Sequence, residues 1–283
     1  MNTPFYLIDV FGQTPFSGNP LPVIFGANES TPQEMQTITR WFNMSETAFV
    51  FPPTVAGADY RVRIFTLERE MPFAGHPTLG SCCAWLKSGG KPRRGDLIVQ
   101  QCGAGLVPIR HVNGELAFAA PPLLRSGPVE ADELAELALF LGVDRTDIVD
   151  ATWADNGPGW VVAMLPSAER VLNLSPKATH PTRMDVGVVG VHPAGAVSKY
   201  ELRAFFTDQH GNVREDPVTG SLNASVAQWL FATRRERHGY VASQGSRVGR
   251  AGRIQLSQDE NGQVWVGGKT MLISEGELRE GRP

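Results

Sequence analysis

The residues Tyr60-Arg61-Val62-Arg63-Ile64-Phe65 alternate between apolar and charged positions, and so do Tyr200-Glu201-Leu202-Arg203-Ala204-Phe205, which repeat the Tyr, Arg and Phe in register. Alternation with period two predicts a half-buried β-strand in each place. A second match follows each strand: Glu70-Met71-Pro72-Phe73-Ala74-Gly75-His76 and Glu215-Asp216-Pro217-Val218-Thr219-Gly220-Ser221 share Glu, Pro and Gly. The spacing between copies grows by five residues from the first match to the second, and the polar stretch Thr207-Asp208-Gln209-His210-Gly211-Asn212 accounts for them as a surface insertion. Each copy runs on into an apolar helix carrying a Trp-Leu pair, Trp85-Leu86 and Trp229-Leu230. A unit of strand, glycine loop and helix thus occurs once in each half, and the chain is expected to build two similar lobes.

The join between them is expected in Ala119-Ala120-Pro121-Pro122-Leu123-Leu124-Arg125-Ser126-Gly127-Pro128, whose prolines and glycine suit an extended linker. Two peripheral amphipathic helices are predicted, over residues 31–42 with Ser30 or Thr31 as N-cap, and over residues 131–141. The helix over residues 77–86 differs, because Leu79, Cys82, Cys83, Ala84, Trp85 and Leu86 leave it little polar face. Such a helix is normally buried, here with sheet wrapped around it. Short strand candidates fill much of the rest, among them residues 107–110, 160–164, 253–256 and 264–266, separated by turn-rich stretches. Thirty glycines and twenty-one prolines fit a β-rich α+β chain with many tight turns.

With 283 residues, 42% of them hydrophobic, the chain can bury a substantial core. A net charge of −3 with both signs mixed gives no basic face to neutralise phosphates, so no nucleic-acid partner is expected. The basic run Arg234-Arg235-Glu236-Arg237 sits where a helix should end, and cations are favoured there by the helix dipole. The opening residues Met1 to Asp9 do not read as a signal peptide, and no apolar run approaches the roughly 20 residues that span a bilayer. No membrane association and a cytoplasmic location are the expectation. The three cysteines, Cys82, Cys83 and Cys102, are read as reduced thiols.

Glu46 lies in the otherwise uncharged stretch Trp41-Phe42-Asn43-Met44-Ser45-Glu46-Thr47-Ala48-Phe49-Val50. Burial there would raise its pKa toward neutrality, as a proton shuttle requires. The pattern alone leaves a solvated or helix-capping glutamate equally open. Ala74-Gly75-His76-Pro77 and Thr219-Gly220-Ser221-Leu222 each open a helix, where free backbone N–H groups favour an anion and glycine admits a close approach. Ordinary helix initiation would look the same, and the symmetry of the two loops is what favours a carboxylate site. No Gly-x-Gly-x-x-Gly follows a strand and no Gly-x4-Gly-Lys loop is present, so no nucleotide cofactor is expected. The six histidines have no short ligand spacing, so no metal is expected either.

Five motifs, in order, resemble the PhzF-like (phenazine-biosynthesis) proteins: Phe11-x4-Phe16-x-Gly18-Asn19-Pro20, Ser45-Glu46-Thr47-Ala48-Phe49, Arg63-x-Phe65-Thr66 to Phe73-Ala74-Gly75-His76-Pro77-Thr78, Glu215-Asp216-Pro217-Val218-Thr219-Gly220-Ser221, and Gln244-Gly245 to Gly249-Arg250. Together they cover essentially the whole chain. The resemblance implies a diaminopimelate-epimerase-like α+β fold, two pseudo-symmetric lobes that each curve a β-sheet or barrel around a central helix, with the site between them. It places the lobes at residues 1–120 plus about 268–283 and at 121–267, the final strand near residues 271–274 crossing back to the first lobe. It implies a cofactor-independent isomerase acting on a small carboxylated substrate, and a homodimer.

Under that resemblance Glu46 matches the acid/base, while Gly18, Asn19, Ser45, Gly75, His76, Asp216, Gly220 and Ser221 match substrate-binding positions. His76 and Asp216 would orient the substrate's polar groups, and the Asn156-Gly157-Pro158-Gly159 loop would add backbone contacts. The related epimerases and racemases place a cysteine at each central helix start. This chain has His76 and Ser221 there, which disfavours a two-thiol mechanism. A two-base pair of Glu46 and Asp216, and a non-catalytic binding protein of the same fold, are the alternatives.

Overall fold

A computed structural model describes residues 2–26, 30–112 and 114–279. The chain divides into two compact units, residues 1–119 with 267–283, and residues 120–266. No helix among the described residues is long and apolar enough to cross a membrane.

The first unit runs β1 (Asn2–Val10), β2 (Asn19–Phe25), α1 (Pro32–Phe42), β3 (Glu46–Phe51), β4 (Tyr60–Thr66), β5 (Glu70–Met71), α2 (Gly75–Lys87), β6 (Leu97–Cys102), β7 (Gly105–Val112) and β8 (Glu115–Ala119). β1 pairs antiparallel with β2, β2 parallel with β3, β3 antiparallel with β4, β4 antiparallel with β5 and parallel with β6, and β6, β7 and β8 form an antiparallel meander. The sheet wraps α2, which packs on β1, β2, β3, β4, β6 and β8. Residues 75–84 of that helix are all buried, as expected from its missing polar face. α1 covers the other side of the sheet, where Met35 packs with Ile24, Phe49, Phe51 and Phe65. Covered on both faces, β3 is buried at every position after Glu46, so its sequence reads as continuous apolar rather than alternating. Emptying Phe49 to alanine at such a position costs about 3–5 kcal/mol.

Thr31 caps α1: its Oγ1 accepts from Glu34 N at 3.3 Å while Glu34 Oε2 accepts from Thr31 N at 2.7 Å. This reciprocal box starts the helix beside Pro32, whose missing N–H would have had no partner there. At the other end Asn43 adopts a left-handed conformation (φ 53°) and turns the chain into β3, which puts Glu46 at the strand's first position.

The second unit runs β9 (Arg125–Pro128), α3 (Ala131–Leu141), β10 (Asp150–Asp155), β11 (Trp160–Met164), α4 (Ala168–Leu172), β12 (Asp185–Val191), β13 (Tyr200–Thr207), β14 (Val213–Asp216), α5 (Gly220–Ala232), β15 (Tyr240–Gln244) and β16 (Gly252–Gln258), then β17 (Val264–Gly268). Its pairings reproduce those of the first unit step for step. β10 and β11 are antiparallel, β11 and β12 parallel, β12 and β13 antiparallel, β13 antiparallel with β14 and parallel with β15, and β15 antiparallel with β16. Here α3 and α4 cover the outer face through Leu137, Phe140, Leu141, Val171 and Leu174 against Val161, Val186, Val188 and Phe205. α5 takes the place of α2, buried from Gly220 to Ala227.

The final strand β18 (Thr270–Arg279) pairs antiparallel with β1 from Val10–Thr270 to Asn2–Arg279, with one irregularity at Leu7/Ile8. The fold is α+β and dominated by mixed sheet, which is not closed, so the barrel half of the expectation gives way to an open, curved sheet. A second correction concerns the linker. Its last four residues form β9, which pairs with β10. Pro128 and Gly127 are tolerated because a strand at the margin of a sheet needs fewer donors than a central one.

Candidate functional site

In the first unit Asn19, Glu46 and His76 meet. Asn19 opens β2 and is fully buried; Gly18 before it has no alternative residue, because a Cβ there would lie 2.2 Å from Asp9 Oδ1 and from the Val10 carbonyl. Asp9 Oδ2 accepts from Ser17 N at 3.0 Å, which holds the loop ahead of Gly18 closed. Asn19 Nδ2 lies 3.5 Å from His76 Nδ1, and Glu46 Oε2 lies 3.5 Å from the same nitrogen. His76, in the first turn of α2, is 2% exposed, and the Glu46 side chain is 17% exposed.

Burial pushes the His76 imidazole down to about 3, against the opposing pull of the Pro20 carbonyl. The ring is therefore neutral near pH 7, and the 3.5 Å approach of Glu46 to it is a polar contact rather than an ion pair. Two proton arrangements fit. With the ring proton on Nδ1, that N–H faces Glu46 Oε2; with the ring proton on Nε2, Nδ1 accepts from Asn19 Nδ2.

The N-cap of α2 is Ala74, which offers no side-chain acceptor to the first-turn amides. Those N–H groups stay available to an anion at the positive end of a helix. Behind them Thr78 Oγ1 donates to the Ala74 carbonyl at 2.9 Å, Gln100 Nε2 donates to Thr78 Oγ1 at 2.9 Å, and Tyr60 OH donates to Gln100 Oε1 at 3.0 Å. This buried chain fixes the loop from inside. Cys82 and Cys83 sit further along α2, and burial pushes both thiols up, so neither is a ready base.

In the second unit the matching loop is built differently. Asp216 ends β14, and its Oδ2 accepts from Thr219 Oγ1 at 2.5 Å. Gln244 Oε1 accepts from Thr219 N at 3.0 Å and from Asn223 Nδ2 at 2.9 Å, while Gln244 Nε2 donates to Thr219 Oγ1 at 2.9 Å and to the Asp216 carbonyl at 3.2 Å. Gly245 follows with φ 99°, and a Cβ there would lie 2.4 Å from the Pro217 carbonyl. Ser221 Oγ accepts from Trp160 Nε1 at 3.1 Å, and the Ser221 carbonyl accepts from Asn156 Nδ2 at 3.0 Å. Thr219, the N-cap of α5, gives no side-chain cap, so the first-turn amides of this helix resemble those of α2.

Of the expected residues, Gly18, Asn19, Ser45, Glu46, Gly75 and His76 lie in the first unit, where Asn19 and Glu46 meet the His76 ring; Asp216, Gly220 and Ser221 lie in the second, where Asp216 is tied to Thr219 and Ser221 to Trp160 and Asn156. Sequence reasoning passed over Thr219, Asn223 and Trp160 as organisers of that second loop. Gln244 had one signal, its place in the Gln-Gly motif. Among the described residues no group of three His, Cys, Asp or Glu side chains is arranged to hold a metal.

Residues 8–276 match the family model of phenazine biosynthesis-like proteins. The chain belongs to that family. Within it, an antisense-enhancing sequence 1 protein of Schizosaccharomyces pombe is 35% identical, the match covering 96% of this chain and 97% of the relative. The trans-2,3-dihydro-3-hydroxyanthranilate isomerase of Pseudomonas aeruginosa is 29% identical over 96% of this chain and 98% of the relative. A solved PhzF-family structure from Bacillus anthracis superposes with a TM-score of 0.81 at 21% identity, covering 99% of this chain and all of that one. This member of the phenazine biosynthesis-like family is an isomerase, as is the P. aeruginosa relative.

Proposed function

We propose that this isomerase moves a proton between carbons of a small carboxylated amino or hydroxy acid without a cofactor, and that Glu46 carries the proton. The reading is carried by one contact, Glu46 Oε2 at 3.5 Å from the Nδ1 of a His76 ring that burial keeps neutral. Glu46 as carboxylate takes a proton from one substrate carbon, leaving the electron pair delocalised toward the substrate's unsaturation. It then returns the same proton to a second carbon, so that one C–H bond breaks, another forms and the double bond shifts. His76 Nδ1 holds the Glu46 carboxyl in place during both half-steps, and the uncapped amides of α2 supply a seat for the substrate carboxylate. The Thr219-fixed carboxyl of Asp216 and the amides of α5 are assigned to substrate positioning. Assembly of the chain as a homodimer belongs to the same proposal.

The test is proton NMR in deuterated water. trans-2,3-Dihydro-3-hydroxyanthranilate, the compound named for the P. aeruginosa relative, is the first substrate to try, followed by a panel of cyclic and amino carboxylic acids. The expected product retains part of the substrate's own hydrogen, because the carried proton exchanges only partially with solvent. Full solvent labelling with inversion at one carbon, together with equal losses in Glu46→Gln and Asp216→Asn, would replace this reading with a two-base epimerase.

A further inference from the structure

A polar pocket lies in the second unit, at the far end of β13 from Asp216. The register places Ala204 opposite Asp216, and Glu201 three residues earlier along the strand, about 10 Å away. Glu201 is 4% exposed. Its Oε2 accepts from Ser243 Oγ in a short contact and lies 3.1 Å from His192 Nε2, and Ser243 Oγ lies 3.0 Å from that same nitrogen. Serine, histidine and glutamate together suggest a nucleophile, but the geometry rules it out. An activated serine needs its base at one ring nitrogen and the orienting carboxylate at the other, whereas here both partners meet Nε2.

What remains open in the cluster is its other oxygen. Glu201 Oε1 is buried with no hydrogen-bond partner, and so is Oγ of Ser198, itself 4% exposed. Both residues line a cavity of about 260 Å³, whose wall also contains His192, Ser246, Arg250 and Arg253. Gln244 lines it too, but its amide is already committed to Thr219, Asn223 and the Asp216 carbonyl. Leaving a buried polar atom without a partner costs about 1–3 kcal/mol, more for a charged one. Two such atoms on residues that line one cavity point to a site for a polar guest rather than an accident of packing.

The charges around the cavity select the guest. A bare anion would face the Glu201 carboxylate, and a bare cation would face the guanidinium groups of Arg250 and Arg253. A molecule carrying both charges meets neither penalty. We infer that this cavity binds a small zwitterion of the amino-acid type, its ammonium donating to Glu201 Oε1 and its carboxylate taken by the Ser198 hydroxyl and the arginines that line the wall. Burial raises the Glu201 carboxyl from its ordinary range against the pull of Ser243, His192 and Arg253, and an ammonium guest would offset that burial.

The experiment is isothermal titration calorimetry of the full chain with glycine, L-alanine and L-serine, with acetate and methylamine as single-charge controls. At least one amino acid is expected to bind at one site per chain, at least about tenfold more tightly than either control. Glu201→Gln and Ser198→Ala are each expected to weaken that binding about tenfold or more, while Glu46→Gln leaves it unchanged and so separates this site from the α2 loop. Thermal unfolding without ligand checks that each variant is folded, and Ser198→Ala, which removes only one oxygen, serves if Glu201→Gln does not fold. The inference is overturned if no amino acid binds, if acetate or methylamine binds as tightly, or if binding survives in folded Glu201→Gln or Ser198→Ala.

Discussion

The α2 loop and the α5 loop occupy equivalent places in two sheets with the same pairing pattern, yet they treat their carboxylates in opposite ways. At α2 the carboxyl group of Glu46 comes from a neighbouring strand and faces a buried, neutral imidazole. At α5 the carboxylate of Asp216 sits at the end of β14 and accepts a hydrogen bond from a threonine hydroxyl, which Gln244 holds from the other side. Under the proposed function the carboxyl beside the imidazole carries the proton, and the carboxyl held by the hydroxyl positions the substrate.

The largest test of that contrast is a pair of substitutions. Glu46→Gln is expected to lower kcat by at least about 10⁴-fold, because an amide cannot take up the proton, while Asp216→Asn lowers it by about tenfold to a hundredfold. Steady-state kinetics on the first compound found to turn over measures both, and equal losses would erase the distinction.

The neutral, buried His76 makes the α2 loop acid-sensitive. Its pKa is lowered in the folded chain to about 3, whereas the unfolded chain takes up this proton near 6.5. Between these values the unfolded state binds more protons, so the stabilising contribution is fully present above about pH 6.5 and falls by about 1.4 kcal/mol per pH unit down to about pH 3. Urea unfolding at pH 7 and pH 5 is expected to show a drop near 2 kcal/mol from this group, and His76→Asn removes that part of the slope.

Gln244→Met would leave Thr219 N and the Asn223 amide without their buried acceptor, at an expected cost of about 1–3 kcal/mol by denaturant titration. Turnover should fall with it if the α5 loop positions substrate. Trp160→Phe removes the indole donor to Ser221 Oγ together with part of a buried ring, and about 1–3 kcal/mol is expected.

The elements that were legible in the sequence are those whose signals are local. Thr31, Pro32 and Glu34 announce the start of α1 within four positions, and the run from Leu79 to Leu86 announces a buried helix by its composition alone. β9 was hidden, because Arg125-Ser126-Gly127-Pro128 carries the composition of a linker and becomes a strand only through its pairing with β10, about 25 positions away. The site divides in the same way. Glu46 and His76 stand in short motifs, so their identity could be read, but their contact joins β3 to α2 and the His76 partner Asn19 lies 57 positions away. The Gln244–Thr219–Asp216 lattice and the Trp160–Ser221 bond close over 25 and 61 positions, and no local pattern encodes such closures.

The pairing of β18 with β1 sets the order in which the chain can be completed as it leaves the ribosome. The unit of residues 120–266 is continuous, and all its strands are available once about residue 266 has emerged. The earlier unit must wait, because β1, paired with β2 on one edge, finds the partner for its other edge only among the last strand's residues, from Thr270 to Arg279. Until then the unpaired side of β1 is an open strand edge next to apolar residues such as Ile8 and Val10, the sort of edge that recruits other chains. Synthesis from the N-terminus therefore finishes the second unit first, and a chain stopped before Thr270 holds one finished fold and one sheet still waiting for its closing strand.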